Sequence, residues 1–380
     1  MKKILLLDAA FSAIPIYEYL VRTGYQIWVM GNRETDPLAK IAGERWINQD
    51  YSDVSAVKRH IENLNITHVL PGCTDVSIET CLQLNLNNHL LDELHIHNKL
   101  ANKEEFRKVC AELDLPSPKI FELSDFPIGG KYICKPVDSF SGKGINIVDG
   151  FEKRKLADAY QLAKNASATS CALIENYISG QLYSFSAFIE SCIVKDYFIV
   201  KEGSSVNPYA VDTSYLVDSL DFALELKAYV EKLSSYLDLK DGLLHIQFIL
   251  DESSKTPYFI EVARRCPGDL YSKLIEYSTG YTYAAKYASY FIEEKEEINK
   301  NRDKLILRHT VSSDVDTTFK SLIFSASINV LAFYPLLLLG DNIKGIQKVR
   351  VGLLFTESTS IQGIEEKYAA LINRELYSFN

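Results

Sequence analysis

No two cysteines stand at Cys-x-x-Cys spacing; the seven are scattered at 73, 81, 110, 134, 171, 192 and 266. An odd count without paired spacing argues against a disulfide framework or a zinc site, and fits reduced thiols in the cytoplasm. Histidine forms no ligand pattern either; His95 and His97 are the one close pair, and they suit a helix or loop surface. Basic charge is not in excess, since 41 Lys and Arg face 50 Asp and Glu. A chain of net charge −9 lacks the basic face of a nucleic-acid binder, though a local basic pocket for a nucleotide remains open. Long apolar runs are also missing. The most apolar stretch, Ile328–Leu339, is shorter than the roughly 18 residues of a membrane span and contains Pro335, so it reads as core. The opening run Ile4–Leu7 ends at Asp8 and reads as a first β-strand rather than a signal segment. Finally, glycine is absent from Asp8–Ala13, the loop after that strand. Without it the backbone cannot approach a pyrophosphate closely, which argues against a nicotinamide dehydrogenase.

What is present is enough chain, 380 residues, for two or three domains with proper cores. Residues 1–95 alternate short apolar strands (Ile4–Leu7, Gln26–Met30, a short one at Ile47, Thr67–Leu70) with helical stretches (Ile14–Thr23, Leu38–Gly43, Val54–Leu64). Alternation at this pitch predicts a Rossmann-like parallel α/β domain. The Gly72–Asp75 loop then lies at the carboxyl end of the fourth strand, where ligands of such sheets bind; a plain turn has the same composition. A helix is expected over Asn98–Leu115, stopped by Pro116 and Pro118. Strands follow at Lys131–Lys135, Ile145–Val148, Ala172–Ile174, Tyr183–Glu190 and Ile193–Val200, and helices at Leu156–Ala163, Phe222–Leu237, Tyr281–Ile298 and Ile364–Glu375. More sheet is expected in Leu305–Val311, Leu322–Leu338 and Val349–Glu357. No internal repeat or low-complexity segment interrupts the pattern.

Two apolar runs, Leu243–Leu250 and Pro257–Ala263, flank the polar turn Asp251–Thr256 and read as a hairpin. If Asp251 pairs with Pro257, Gln247 lies opposite Glu261, with Cβ atoms about 4.5–5.5 Å apart on one face. Two oxygen donors on a rigid ribbon, with Arg265 at the strand end, suit a hard divalent cation and a phosphate. A solvated cross-strand polar pair has the same pattern. The segment Asp138–Gly144 has the content of a phosphate loop but exits into a strand, so it is no Walker motif. Gly142 and Gly144 would let its N–H groups approach phosphate oxygens; a surface turn is the alternative. Lys135 ends an apolar strand and offers a point charge to whatever cleft the sheet floors. Lys201 closes its own strand in the same way, and Arg308 suits either a substrate carboxylate or a structural salt bridge.

In this order the pieces resemble the ATP-grasp superfamily, and the resemblance spans most of the chain: Lys103 on a helix, Lys135–Pro136, the loop 139–144, the segment Leu173–Gly180, and Glu261-Val-Ala-Arg-Arg265, which is similar to the family's metal-binding Glu-x-Asn-x-Arg. The resemblance implies a parallel α/β domain (1–95), a small lid domain (96–178) and an α+β body with the metal hairpin (179–380). It implies ATP held by Lys103 and Lys135, covered by Ser139, Ser141, Gly142 and Gly144, with Glu175, Asn176, Tyr177 and Ile178 as the hinge under adenine. Gln247 and Glu261 would ligate Mg2+, and Arg265 would serve the transferred phosphoryl group; Lys201, from its place at a strand end, is a further catalytic candidate, with a surface lysine as the alternative. The implied reaction activates a carboxylate as an acyl phosphate and joins it to an amine, releasing ADP and phosphate. The partners would be small-molecule carboxylate and amine substrates, with no nucleic acid and no membrane, and homodimers are common in the family. Two positions depart from the pattern: Ala263 replaces the second metal-ligating Asn, and Leu182 a ribose-binding Glu. A nucleotide-binding pseudoenzyme would show such losses, and a carboxyphosphate-forming carboxylase is the neighbouring alternative.

Overall fold

The computed structural model describes residues 2–84, 86, 91–138, 142–217, 221–292, 303–345 and 349–380. The first strands, β1 (Lys3–Leu7), β2 (Gln26–Gly31), β3 (Trp46–Asn48) and β4 (His68–Pro71), form a parallel sheet in the order β3-β2-β1-β4. Helices α1 (Ile14–Arg22), α2 (Pro37–Ala42) and α3 (Val54–Leu64) lie between them, and α4 (Asp75–Leu84) follows β4. The central strand β1 is covered on both faces, so it is apolar throughout rather than alternating. Ile4 and Leu6 enter one core, Leu5 and Leu7 the other. At its end the buried Asp8 carboxylate accepts the N–H groups of Ala10 (2.8 Å) and Cys73 (2.9 Å), tying the loops after β1 and β4 together. Gly72 is required there, because a Cβ would stand 2.2 Å from the Asp8 Cβ.

The helix expected over Asn98–Leu115 is two helices, α5 (Leu94–Ala101) and α6 (Lys103–Glu112). Asn102 breaks it: its side-chain oxygen accepts the N–H groups of Glu104 and Glu105 and starts α6 anew. Four short strands follow, β5 (Ile120–Phe121), β6 (Lys131–Pro136), β7 (Asn146–Asp149) and β8 (Ala172–Asn176), in an antiparallel sheet of order β5-β8-β6-β7. Helix α7 (Lys153–Ala166) packs on one face against Tyr132, Cys134 and Ile174. Alternation therefore puts Ile133, Lys135, Leu173 and Glu175 on the other face.

The remaining strands build one eight-stranded sheet. Its order is β13 (Pro257–Ala263), β12 (Gly242–Asp251), β9 (Gly180–Glu190), β10 (Ile193–Gly203), β11 (Thr213–Val217), β14 (Leu305–Ser312), then the strands Arg350–Ser358 and Asn329–Pro335. Phe185, Leu244 and Ile246 face α6 and α8 (Ala223–Leu237). Phe188, Phe198 and Val200 face α9 (Tyr271–Thr279), α10 (Tyr283–Ser289) and the parallel sheet. Helix α11 (Ile361–Ile372) covers Tyr215 and Leu307. Parallel α/β, a small antiparallel layer and a larger mixed body thus follow one another as the fold class predicted. The long helix expected over Tyr281–Ile298 appears as α10 alone, and residues 293–302 lie outside the described residues. The strand expected over Leu322–Leu338 is broken into Leu322–Phe324 and Asn329–Pro335.

The hairpin register carries a correction. At the turn Pro257 faces Leu250, not Asp251, and a bulge then shifts the pairing so that Gln247 does face Glu261. Ile260 is the extra residue of that bulge. At the far end of β13, Arg264 is buried with Asp92, Nε to Oδ2 2.7 Å, and Asp92 also accepts the Lys240 N–H. Arg264→Ala should leave a buried carboxylate unpaired and cost about 3–5 kcal/mol; urea unfolding of the full chain measures it.

Candidate functional site

Helix α6, the small sheet and the β12–β13 hairpin meet around one buried carboxylate. Glu175 of β8 is 1% exposed. Lys135 of β6 reaches its Oε2 at 2.6 Å and Arg107 of α6 its Oε1 at 2.8 Å. Arg107 also donates Nη2 to the Ile260 carbonyl at 2.9 Å, in the bulge of β13. The bulge therefore gives α6 an attachment to the hairpin that regular pairing would not provide. One turn earlier on α6, the Lys103 ammonium stands 3.8 Å from Glu261. Five residues expected or found here, Lys103, Arg107, Lys135, Glu175 and Glu261, thus form one connected group of charges.

The electrostatics of this group are unbalanced toward the cation. Burial pulls the Lys135 ammonium down to about 8, against the attraction of Glu175, with Arg107 and Lys103 adding to the depression. Burial also opposes the Glu175 charge, but Arg107 and Lys135 together hold that carboxyl below its usual range. Nη1 of Arg107 is buried without a hydrogen-bond partner. A multiply charged anion fits such a place: it would partner the orphaned N–H and supply the negative charge the two cations lack.

On the large sheet, Glu261, Gln247, Ser184 and Val200 lie in one row across β13, β12, β9 and β10, and so share a face. Glu202, two residues beyond Val200, shares it too, and its carboxylate accepts Gln247 Nε2 at 2.7 Å. The amide nitrogen is thereby engaged, which leaves Oε1 as the acceptor of that side chain. Glu202 is 3% exposed, and burial pushes its carboxyl up to about 7, partly offset by the Ser184 and Gln247 hydrogen bonds. The oxygens of Gln247 and Glu261 are a hard donor pair of the kind Mg2+ takes, with water or phosphate completing its shell.

Other expected residues are placed differently. Lys201 pairs with Tyr183, one step out of the Val200 row, so its side chain is on the opposite face; there it meets Glu365 at 2.8 Å and does not join the group. Arg265 makes a two-pronged pair with Asp75, at 2.6 and 2.8 Å, and so links the hairpin end to the start of α4. Asn176 turns its side chain to the Lys119 N–H at 2.6 Å, and the Tyr177 N–H goes to the Lys131 carbonyl at 2.9 Å. Ile178 is buried beside them. Gly142 and Gly144 have φ of 76° and 78°. A Cβ on Gly142 would come 2.4 Å from that of Tyr209, so the loop lies directly on the large body. Ser139 and Ser141 lie outside the described residues. Arg308 is fully buried and holds Asp269 at 2.9 Å and Ser214 at 2.9 Å, the structural use of the two weighed for it. Arg107 and Glu202 escaped the sequence reading. For Arg107 a signal existed, four residues after Lys103 on one helical face; Glu202 had none, since strand pairing brings it to Gln247.

No protein-family model matches the chain, and a search of curated proteins finds no match. Solved structures do match. An L-amino acid ligase from Bacillus licheniformis superposes with TM-score 0.79 at 17% identity, covering 100% of this chain and 99% of that one. A phosphoribosylglycinamide synthetase from Anaerococcus prevotii gives 0.76 at 16%, covering 100% and 99%. The biotin carboxylase domain of Hydrogenobacter thermophilus 2-oxoglutarate carboxylase, a dimer in complex with MgADP, ADP and bicarbonate, gives 0.76 at 15%, covering 100% and 90%. The chain has the ATP-grasp fold. The charged group just described lies between the small antiparallel sheet and the eight-stranded sheet. No helix among the described residues is long and apolar enough to cross a membrane.

An ammonium attracts phosphate only while protonated, and the test of Lys135 as a phosphate ligand follows from that. Affinity for ADP should therefore fall as pH rises through about 8, and Lys135→Met should bind more weakly and lose most of that dependence. Calorimetric titration across the neutral to alkaline range reads both.

Proposed function

We propose that the protein is an ATP- and Mg2+-dependent carboxylate–amine ligase. The observation that carries this reading is the row of Gln247 and Glu261 oxygens on the body, 3.8 Å from Lys103 and connected through Arg107 to the buried Lys135–Glu175 pair of the lid. Similarity of fold to the two ligase-type enzymes above supports it. In this reading Lys103, Lys135 and Arg107 bind the polyphosphate, and the loop holding Gly142 and Gly144 closes over it. Glu175, Asn176, Tyr177 and Ile178 line the adenine end; Ser139 and Ser141 belong to the covering loop. Gln247 and Glu261 hold Mg2+, whose bound charge would neutralise the phosphate oxygens during transfer.

The carboxylate substrate attacks the γ-phosphorus and ADP leaves. The amine then attacks the acyl carbon, loses a proton, and phosphate departs. The protein supplies position and charge rather than covalent chemistry. Arg265, pinned by Asp75, orients its guanidinium at the mouth of the hairpin, where it can face the transferred group. Ala263 lies opposite His245 and offers no oxygen, so the chain provides for one metal rather than two. We take 1–95, 96–178 and 179–380 as the working parts, a homodimer as the assembly, and the cytoplasm, where seven unpaired thiols are at home, as the compartment.

Two variants test the reading. Glu261→Gln should keep the fold by circular dichroism and reduce substrate-dependent phosphate release by more than about a hundredfold; near-normal turnover by the folded variant would count against the metal role. Glu202→Ala frees the Gln247 amide to rotate, and should raise the Mg2+ concentration needed for half-maximal turnover about tenfold while leaving metal-free ADP binding unchanged.

A further inference from the structure

A second recess lies where the loop after β1, the start of α9 and the end of strand Asn329–Pro335 come together. Its cavity is about 80 Å3. Phe11, Ile14 and Pro15 form one wall, Leu270 another, and Tyr334 and Leu336 a third. The single charged lining residue is Lys273, whose ammonium is already paired with Glu276 at 3.1 Å and Glu18 at 3.4 Å. Such walls offer nothing to a charged group and suit an apolar one. The volume is about half the ~150 Å3 of an apolar cavity that takes benzene, which sets the scale at a branched aliphatic chain rather than a large aromatic.

Two observations say what the rest of the ligand carries. Arg350, exposed at the start of its strand, holds its guanidinium 6.0 Å from the ring centroid of Phe11, one of the residues that line the recess. The charges acting on it are Asp269 and Arg308. Asp269 is already bound to Arg308 at 2.9 Å, so among the described residues no carboxylate pairs with Arg350. An exposed guanidinium beside an apolar cavity is complementary to a carboxylate on an apolar chain. The second observation is backbone strain. Leu270, between Asp269 and α9, has φ 59°, a left-handed conformation that bulky side chains adopt rarely. Strain of this kind collects at binding sites; here it sits at the residue that lines the cavity while its neighbour Asp269 holds Arg308.

We propose that this recess, with Arg350, binds a small carboxylate bearing a branched aliphatic chain: the chain fills the cavity and the carboxylate takes the guanidinium. That the ligand is a substrate rests on the ligase reading; that it binds here does not. Arg308, ion-paired with Asp269, is a like charge acting on Arg350.

Calorimetry on the full chain with leucine, isocaproate and isoamylamine tests the site, and a parallel titration with MgADP tests the nucleotide reading. Leucine and isocaproate should bind and isoamylamine, which lacks the carboxylate, should not. Leu336→Trp, which fills the cavity, and Arg350→Gln should each weaken both acids at least about tenfold while MgADP affinity stays at the wild-type value. Failure of both acids to bind wild-type protein, with or without MgADP, overturns the proposal, as does binding that neither substitution weakens. Binding of the acids without any binding of MgADP would uphold the site and sink the ligase reading; the reverse pattern would do the opposite.

Discussion

A carboxylate buried between two cations governs how the parts of this molecule meet. Glu175 comes from β8 of the small sheet, Arg107 from α6, and Lys135 from the neighbouring strand β6. Each charge would be costly alone in the interior, and together they are tolerable only when all three are in place. Because Arg107 also holds the Ile260 carbonyl, the same contact fixes the hairpin relative to α6. The triad therefore sets the spacing between the small sheet and the row of oxygens on the large one. That spacing is what a polyphosphate and its cation would span.

A second linkage ties the parallel sheet to the body. Arg265 clamps Asp75 with both prongs, while Arg264, next in the chain, points the other way to Asp92. Successive residues at a strand end face opposite sides, so one Arg-Arg pair can anchor two different segments. The apolar part of this junction is the large core in which Leu6, Ile16 and Leu70 pack with Tyr271, Tyr283 and Tyr287. It brings the loop after β1 against α9, and the apolar recess beside Arg350 is a product of that packing rather than of any one segment.

The body sheet works as a two-sided device. One face is apolar and rests on α6 and α8; the other carries Glu261, Gln247, Glu202 and Arg308 among buried tyrosines. Burial makes each polar group on that second face depend on a neighbour, Glu202 on Gln247 and Ser184, Arg308 on Asp269 and Ser214. The bond to Glu202 holds the Gln247 amide nitrogen on that carboxylate.

Local pattern was sufficient for the strand–helix alternation of the first ninety residues, for the hairpin and for the Gln247–Glu261 pairing, because hydrophobic periodicity and turn chemistry act over a few residues. It also named Lys103, Lys135 and Glu261, which the packing brings into one neighbourhood. It failed at Asn102, where a side-chain cap overrode helical spacing, and at the turn register, where the bulge at Ile260 moved the pairing by one. It could not place Lys201, which lies on the opposite face with Glu365, since the end of a strand does not reveal which face a side chain takes. The partners of each charge were invisible for a simpler reason. Arg107 with Glu175, Glu202 with Gln247, and Arg350 with Phe11 are distant in sequence, and only the packing of sheet on sheet determines which charges are buried together and which cation is left for a ligand.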